Sequence, residues 1–319
     1  MFLINKLRNI LSLIILIIIS SNIAISQRNC GTMQNLEYLK SQDVHLEQKI
    51  SQNEIILQKW ITENKDSKLS SVITIPVVVH VVYYNSTENI SDQQIQSQID
   101  ILNEDFRRQN SDTVNTPNGF QSVAVDCEIE FCLATEDPSG NTTNGITRTQ
   151  TSQSSFSTNN NVKYSSSGGI DAWNTTDYLN IWVCDLSGGL LGYAQFPGGT
   201  ASSDGVVCDY AYFGNIGTAS QPYDLGRTTT HEVGHWLNLR HIWGDQNCGD
   251  DYCNDTPEHS GSNYGCPNYP STSSCSGNGQ YGDMFMNYMD YTEDACMNLF
   301  TSDQKTRMIA AINTFRSGL

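Results

Sequence analysis

Apolar residues recur along the chain with two different spacings, one typical of strands and one typical of helices, and together they predict a mixed α/β fold. From Val72 the stretch VITIPVVVHVVYY is β-branched and aromatic, which is typical of a strand. Residues 91–107 place apolar side chains on one helical face and begin with a capping box at Ser91. Either Thr301 or Ser302 caps the last helix. Further strands are predicted at 123–134, 178–186 and 206–213, further helices at 225–237 and 302–315, and a polar loop at 139–167.

The N-terminal 26 residues favour an export signal. Lys6 and Arg8 precede the apolar run 10–19, and small residues follow at 24–26. The run is shorter than the ~20 apolar residues that cross a bilayer. The sequence therefore predicts a cleaved signal peptide and a secreted protein without membrane association, and a retained N-terminal anchor is the alternative. Ten cysteines agree with an oxidising compartment, and we expect most of them in disulfides.

Charge divides the rest of the chain into two parts. Residues 27–70 are polar, helical in their apolar spacing, and hold six basic and six acidic side chains. Residues 71–319 hold nine basic and twenty-eight acidic side chains, and the whole chain has a net charge of −17. This balance disfavours nucleic acid and anionic membranes as partners and favours cationic substrates and calcium. An acidic surface that is solvated and has no partner is the alternative.

The stretch HEVGHWLNLRH holds three of the six histidines at the spacing of a catalytic zinc site. His231 and His235 are one helical turn apart and share a face, and Glu232 lies beside them to carry a proton. His241 is out of phase, so the helix must end and the chain must turn near Asn238. Three imidazoles leave one position open for water, as in a catalytic zinc site. A pair of surface histidines is the alternative for an isolated HExxH.

The same stretch resembles the HExxHxxGxxH pattern of the metzincin zinc peptidases. Asn238 stands where the pattern has glycine, and Asn is the next most tolerant of left-handed backbone. NYMDY resembles the Met-turn, with Met289 as its methionine and Tyr291 two residues later. A resemblance to the ulilysin-like, cytophagalysin branch of the pappalysin family covers roughly residues 72–310. Its stretches are IPVVVHVVY, IEFCLA, YLNIWVCDLSGGLLGYAQFPGG, DGVV, THEVGHWLNLRHIWGD, NYGCP and MNYMDYTEDACM.

The resemblance implies a metzincin catalytic domain over residues 71–319, of the α/β (α+β) class. In this family a twisted mixed sheet and the active-site helix lie above an irregular, disulfide-bonded lower subdomain. Residues 27–70 are then a pro-segment that confers latency. Cys30 in RNCGTM is similar to a cysteine that caps the zinc, where a thiolate takes the place of water. An ordinary disulfide role for Cys30 is the alternative.

The family also implies roles for residues downstream. Tyr291 stabilises the transition state, and Met289 packs beneath the metal ligands. Asp294 lies at the base of the S1′ pocket in members that prefer Arg or Lys after the scissile bond. The implied disulfides are Cys248–Cys275 and Cys266–Cys296. The loop GDDYCNDTP groups oxygen ligands that suit structural calcium, with a solvated acidic turn as the alternative: Asp250, Asp251, Asp255 and Thr256.

The sequence thus predicts a secreted zinc metalloendopeptidase, made as a latent zymogen that is activated by a cut near Ser70. Glu232 acts as general base and then general acid on a zinc-bound water, and Arg or Lys is favoured at P1′. Its expected partners are peptide or protein substrates and its own pro-segment, and we expect a monomer. The alternatives are a catalytically inactive metzincin-fold binding protein and a zinc hydrolase of a non-peptide amide.

Overall fold

The computed structural model of the chain describes residues 27–65 and 71–319. The predicted signal peptide, 1–26, and the activation point expected near Ser70 lie outside these residues. In chain order the helices and strands are α1 (Thr32–Gln42), α2 (Leu46–Glu63), β1 (Ile73–Tyr83), α3 (Asp92–Phe106), β2 (Ile129–Leu133), β3 (Ile146–Gln150), β4 (Leu179–Cys184), β5 (Gly192–Ala194), β6 (Val206–Asp209), α4 (Arg227–Trp236) and α5 (Ser302–Phe315).

Six strands form one mixed sheet in the order β2-β1-β4-β6-β5, and β3 pairs further along β1. The long strand β1 pairs with β2 through residues 73–77 and with β3 through residues 79–83. All pairings are parallel except that of β5 with β6, which is antiparallel. The predicted mixed sheet is therefore confirmed, and β5 is its edge strand.

The main hydrophobic core fills the space between one face of the sheet and helices α3 and α4. Alternate residues of β1, from Ile75 to Val81, enter this core, as the two-residue period of a strand requires. Helix α3 contributes the apolar face predicted for it, and α4 contributes Val233 and Trp236. All ten residues of α4 are buried. The helix with the predicted metal ligands is therefore held rigidly inside the molecule.

Several strand predictions are wrong in extent or place. Strand β2 begins at Ile129 and not at 123, because the preceding backbone N–H groups bond to carbonyls outside the sheet. Strand β6 ends at Asp209, whose carboxylate accepts a hydrogen bond from the N–H of Ala211 and starts a 3₁₀ turn. Strand β3 lies inside the predicted loop 139–167, and the three-residue strand β5 was not predicted.

The helix caps partly follow the sequence. The Ser91 side chain accepts from the N–H of Gln94, but the Gln94 side-chain oxygen accepts from the N–H of Thr218 and does not return to the cap. The first predicted box is thus only half formed. Of the two candidates for α5, Thr301 is the N-cap, and it forms a complete capping box with Gln304.

The cysteines pair less than expected. The two implied disulfides, Cys248–Cys275 and Cys266–Cys296, are both present and tie together a region without regular helices or strands. The other six cysteines are free thiols, so the expectation that most cysteines are paired is wrong. Four of the six belong to the sheet and its surroundings, where hydrogen bonds and packing already hold the chain. These six thiols are Cys30, Cys127, Cys132, Cys184, Cys208 and Cys253.

Residues 27–65, called here the N-terminal segment, pack on the rest of the molecule. Near α1, Leu36 and Leu46 form an apolar cluster with Phe196. On α2, the buried Leu57 packs against two alanines of α5. Within residues 27–65 and 71–319, the structure contains no helix whose length and apolar character would let it span a membrane.

Candidate active site

Helix α4 carries the first two predicted ligands on one face. His231 and His235 are fully buried, and their Nε2 atoms lie 3.1 Å apart. The Nε2 atom of His241 lies 3.1 Å from that of His235. The three predicted imidazoles converge on one point, although the third comes from outside the helix.

A left-handed turn at Asn238 brings the third imidazole to this point. Asn238 has φ of 70°, and its N–H donates to the carbonyl of His235 at 2.8 Å. The N–H of Leu239 donates to the carbonyl of Gly234 at 2.9 Å. These two bonds are the Schellman pattern of a helix end, in which glycine is usual and asparagine is tolerated. Asn238 therefore takes the backbone conformation of the glycine it replaces.

Each ligand imidazole is oriented through its other nitrogen. Because carbonyl and carboxylate oxygens accept hydrogen bonds, Nδ1 carries the hydrogen and Nε2 presents a lone pair. Lone pairs this close together repel unless a cation lies between them. The Nδ1 contacts are His231 with the Tyr288 carbonyl at 2.7 Å, His235 with the Leu239 carbonyl at 2.8 Å, and His241 with the Asp245 carboxylate.

This set of donors fits a zinc ion. Tetrahedral Zn–N bonds of about 2.05 Å separate two ligand nitrogens by roughly 3.3 Å, close to the observed 3.1 Å. Burial lowers the pKa of His231 and of His235 well below the usual value, so both rings are neutral. The Sγ atom of Cys30 completes a group of four ligand atoms that all lie within 4.8 Å of one another.

The predicted Met-turn lies beneath α4. Met289 is fully buried, and its N–H donates to the Asn287 side chain at 2.9 Å. A Cβ atom added at Gly234 would lie only 2.5 Å from the Met289 sulfur. Gly234 comes directly before the second ligand histidine, so the missing side chain there lets the Met-turn approach the ligands closely.

Tyr291 lies beside the point on which the three imidazoles converge, called here the metal point. Its ring centroid lies 4.9 Å from that of His241 and 5.7 Å from that of His231. Burial, followed by the charges of Cys30 and Glu232, raises the pKa of Tyr291 well above its usual value. Its hydroxyl therefore stays protonated and can donate a hydrogen bond toward this point.

The Glu232 carboxylate faces the N-terminal segment. Its Oε2 atom accepts a hydrogen bond from the Thr32 hydroxyl at 2.8 Å and lies 3.5 Å from the Cys30 sulfur. Burial raises the pKa of Glu232 to about 7, although the bonds from Cys30 and Thr32 oppose the shift. A carboxylate with this pKa can take up and return a proton near neutral pH.

The N-terminal segment occupies the cleft as an extended strand beside β5. The N–H of Gly31 donates to the carbonyl of Gly192 at 2.8 Å, and the N–H of Leu191 donates to the carbonyl of Asn29 at 3.0 Å. The Thr32 hydroxyl also accepts from the N–H of Ala194 at 2.8 Å. The edge strand β5 is therefore already paired, and nothing else can add to this part of it.

Arg28 fills a pocket that ends at Asp294. Both side chains are almost completely buried, and the guanidinium forms an ion pair with the Asp294 carboxylate. Arg28 also donates to the carbonyl of Thr292 at 3.1 Å. The second Asp294 oxygen accepts from the N–H of Leu225 at 2.9 Å and of Arg227 at 3.2 Å. The pocket base is thus a fixed, buried carboxylate that pairs with an arginine.

Sequence reasoning missed three residues of the site. Asp245 orients His241 and lies four residues after it, a spacing that could have been noticed. Arg28 lies two residues before Cys30 and Thr32 two residues after it, so all three alternate along one face of an extended chain. That alternation was a usable signal, but the partners lie far along the chain: Asp294 is 266 residues from Arg28, and Glu232 is 200 residues from Thr32.

The four predicted calcium ligands are divided between different contacts. The Asp251 carboxylate binds the Thr256 hydroxyl at 2.9 Å. The Asp255 carboxylate instead accepts from the Thr301 hydroxyl and from the N–H of Asp303, at the start of α5. Among residues 27–65 and 71–319, the two groups of His, Cys, Asp and Glu dense enough to hold a metal include none of the predicted calcium ligands. Calcium binding here stays a prediction.

Together, the mixed sheet, the histidine helix with its left-handed end, the third histidine and the buried methionine turn define the metzincin class of metallopeptidases. Residues 162–313 match the peptidase M43 family model, described as Pregnancy-associated plasma protein-A. An extracellular metalloprotease of Arthroderma otae is 34% identical over 79% of this chain and 82% of its own length. Extracellular metalloprotease 1 of Coccidioides posadasii is 33% identical over 78% of this chain and 80% of its own length.

Solved structures agree with these relatives. Mirolysin in complex with compound 9 is 59% identical, with a TM-score of 0.76 over 78% of this chain and 96% of that one. A mutant of promirolysin from Tannerella forsythia is 53% identical, with a TM-score of 0.83 over 91% of this chain and 95% of that one. This chain belongs to the peptidase M43 family, the pappalysins, and it is a metalloendopeptidase whose family implies a catalytic zinc.

Proposed function

We propose that this protein is a secreted zinc metalloendopeptidase, made as a latent precursor, that cleaves before Arg or Lys. One observation carries the proposal: three Nε2 lone pairs converge beside Glu232, and Cys30 of the N-terminal segment lies at the same point. The expected domains are a signal peptide (1–26), a pro-segment (27–70) and a catalytic domain (71–319). Secretion is supported by relatives that are named extracellular metalloproteases.

The chemistry follows from the groups around this point. When bound to His231, His235 and His241, zinc supplies Lewis acidity that makes a water acidic and polarises the scissile carbonyl. Glu232 takes the proton from the attacking water and gives it to the leaving amine, the task of a carboxylate held beside the metal ligands. Tyr291 remains a protonated phenol and donates to the oxyanion as negative charge develops there.

Arg28 supports the proposed P1′ preference. It is an arginine of this chain already seated on Asp294, at the end of a buried pocket beside the metal point. A substrate Arg or Lys at P1′ makes the same ion pair, and a neutral side chain leaves the carboxylate without a partner. We therefore assign Asp294 to the recognition of the residue that follows the scissile bond.

Latency is proposed to result from three side chains acting together. Arg28 fills the specificity pocket, Cys30 takes the open metal position, and Thr32 holds the catalytic carboxylate of Glu232. Burial, together with the nearby Glu232 carboxylate, raises the pKa of Cys30, so a thiolate there requires an adjacent cation. Zinc supplies that cation, which couples latency to metal binding.

Replacement of Cys30 by Ala is expected to raise the peptidase activity of the uncut precursor by at least about tenfold, because loss of a metal–thiolate bond exceeds the 1.4 kcal/mol that a tenfold change requires. The assay measures cleavage of a fluorogenic peptide with Arg at P1′ while electrophoresis verifies that the precursor is intact. Cys132→Ala, at an exposed free thiol, is the matched control and leaves activity unchanged. A Cys30→Ala precursor as inactive as the wild type contradicts the switch.

The proposed function is tested with a mixed peptide library incubated with activated protein. We expect internal cuts, with Arg or Lys enriched directly after the scissile bond. Cuts before small apolar residues alone contradict the role of Asp294. Bound zinc without any cut peptide favours the inactive binding protein or a hydrolase of a non-peptide amide.

A structural calcium ion in the loop that contains Asp250, Asp251, Asp255 and Thr256 remains part of the proposal. Its support is chemical, because carboxylate and hydroxyl oxygens are the ligands calcium prefers.

A further inference from the structure

In addition to the apolar cluster around Phe196, the N-terminal segment is attached to the catalytic domain at two places that lie far apart along the segment. The first is the cleft, where residues 28–32 lie along β5 and over the metal point. The second is the surface of α5, against which α2 packs. Residues 27–65 therefore carry an inhibitory part and, further along the chain, a part that does not contact any proposed catalytic residue.

An ion pair between a buried arginine and a partly buried glutamate forms the polar half of the second attachment. Both terminal nitrogens of Arg307 donate to the Glu54 carboxylate, at 2.8 and 2.9 Å, in a two-point geometry. Arg307 is only 1% exposed. It also donates to the carbonyl of Asn238 at 3.3 Å. The same guanidinium thus connects the N-terminal segment to the turn before the third metal ligand.

Leu57 forms the apolar half. It lies one helical turn beyond Glu54 on α2 and is fully buried against Ala310 and Ala311 of α5. The two alanines leave room for the helices to approach closely. Three partly buried side chains surround this contact: Trp60, Ile61 and Phe315.

We infer that α2 is an anchor that keeps the pro-segment bound after the activating cut, so that the excised segment remains an inhibitor in trans. Helix α2 ends at Glu63, and the cut is expected near Ser70, so the cut separates neither attachment from the enzyme. Two contacts on one peptide reinforce each other, because the anchor keeps the cleft part at high local concentration. This inference rests on the proposed latency.

The consequence is a two-step activation. A single cut beyond residue 65 breaks the chain but leaves Arg28, Cys30 and Thr32 in place. Full activity then requires a second event, either cleavage within residues 27–65 or dilution of the complex. The surface of α5 that contains Arg307, Ala310 and Ala311 is thus a docking site for one specific partner, the enzyme's own helix α2.

The test uses the full chain with the recognition sequence of a specific protease placed between residues 65 and 71. After a single cut, size-exclusion chromatography with mass spectrometry measures how fast the released fragment leaves the enzyme. In the wild type we expect the fragment to elute with the enzyme and activity to rise slowly after dilution. In Glu54→Ala we expect release at least about tenfold faster, because a buried charge loses its partner.

Leu57→Ala is the second variant, since it weakens the same attachment without disturbing Arg307, and it is expected to release the fragment faster in the same way. Lys59→Ala is the matched control, because its side chain is 72% exposed and pairs with Glu63 of its own helix. Release at the wild-type rate is expected for it. Thermal melting of each uncut precursor verifies that the variants are folded.

Immediate loss of the fragment from the cut wild type overturns the inference, as does release of the fragment from both Glu54→Ala and Leu57→Ala at the wild-type rate. Failure of the proposed function gives a different result. If the fragment is retained and then removed, but the free enzyme never cleaves a peptide, the anchor stands and the peptidase proposal falls. If full activity appears at the moment of the cut, the peptidase proposal stands and the anchor falls.

Discussion

Replacement of Glu232 by Ala in the activated protein is expected to reduce kcat for peptide cleavage by about 10²–10⁴-fold, the usual contribution of a general base and acid. Glu232 is the carboxylate beside the three histidines, on the same buried helix as His231 and His235. Without it, no group in the same position takes the proton from water or returns it to the leaving amine. Initial rates on a peptide with Arg at P1′ measure the effect.

Zinc content separates this role from a structural one. Glu232 is not one of the three converging imidazoles, so the variant is expected to bind as much zinc as the wild type. His235→Ala, in contrast, is expected to lose both zinc and activity. Glu104→Ala removes an exposed carboxylate of α3 and serves as the matched control, with no change in rate. If the Glu232→Ala enzyme has the wild-type kcat, another group transfers the proton and the role given to Glu232 is wrong.

Asp294→Asn is expected to lower kcat/KM for substrates with Arg or Lys at P1′ by about 10²–10⁴-fold. The basis is the buried Arg28–Asp294 ion pair of the precursor. Loss of one partner of such a pair costs about 3–5 kcal/mol, and each 1.4 kcal/mol is a tenfold change. The same variant is expected to cleave a peptide with Leu at P1′ at least as well as the wild type.

The comparison of Arg with Leu at P1′ distinguishes lost recognition from a damaged fold. Asp294 accepts hydrogen bonds from the backbone N–H groups of Leu225 and Arg227, and asparagine keeps a side-chain oxygen that can accept the same bonds. Glu136→Gln removes an exposed negative charge and is expected to leave the Arg-to-Leu ratio unchanged. An equal loss of kcat/KM on both peptides in Asp294→Asn contradicts the assigned role.

Local rules were sufficient to predict the centre of the site from the sequence. Helical spacing puts His231 and His235 on one face, and the phase of His241 requires the turn that Asn238 makes with φ of 70°. The strand β1 and the amphipathic helix α3 were equally clear, because their apolar periods of two and of about 3.6 extend over many residues. These features depend on neighbours along the chain, which a sequence displays directly.

The features that the sequence did not reveal depend on distant partners. Strand β5 has only three residues, and its role as the cleft edge comes from pairing with β6 on one side and with residues 29–31 on the other. The seat of Arg28 on Asp294 joins positions 266 residues apart. The expectation that most cysteines are paired is wrong for a similar reason, because pairing depends on how two distant side chains are placed. Cys184 and Cys208 lie on neighbouring strands yet remain free thiols.

Removal and return of zinc tests whether this protein cleaves peptides by means of one bound zinc ion. Activated wild-type protein is treated with a chelator, dialysed, and titrated with zinc, while metal content and the cleavage rate of a peptide with Arg at P1′ are measured together. We expect activity to disappear with the metal and to return in proportion to zinc, with saturation at one ion per chain. Full cleavage by metal-free protein, or one bound zinc per chain without any cleavage, would contradict this expectation.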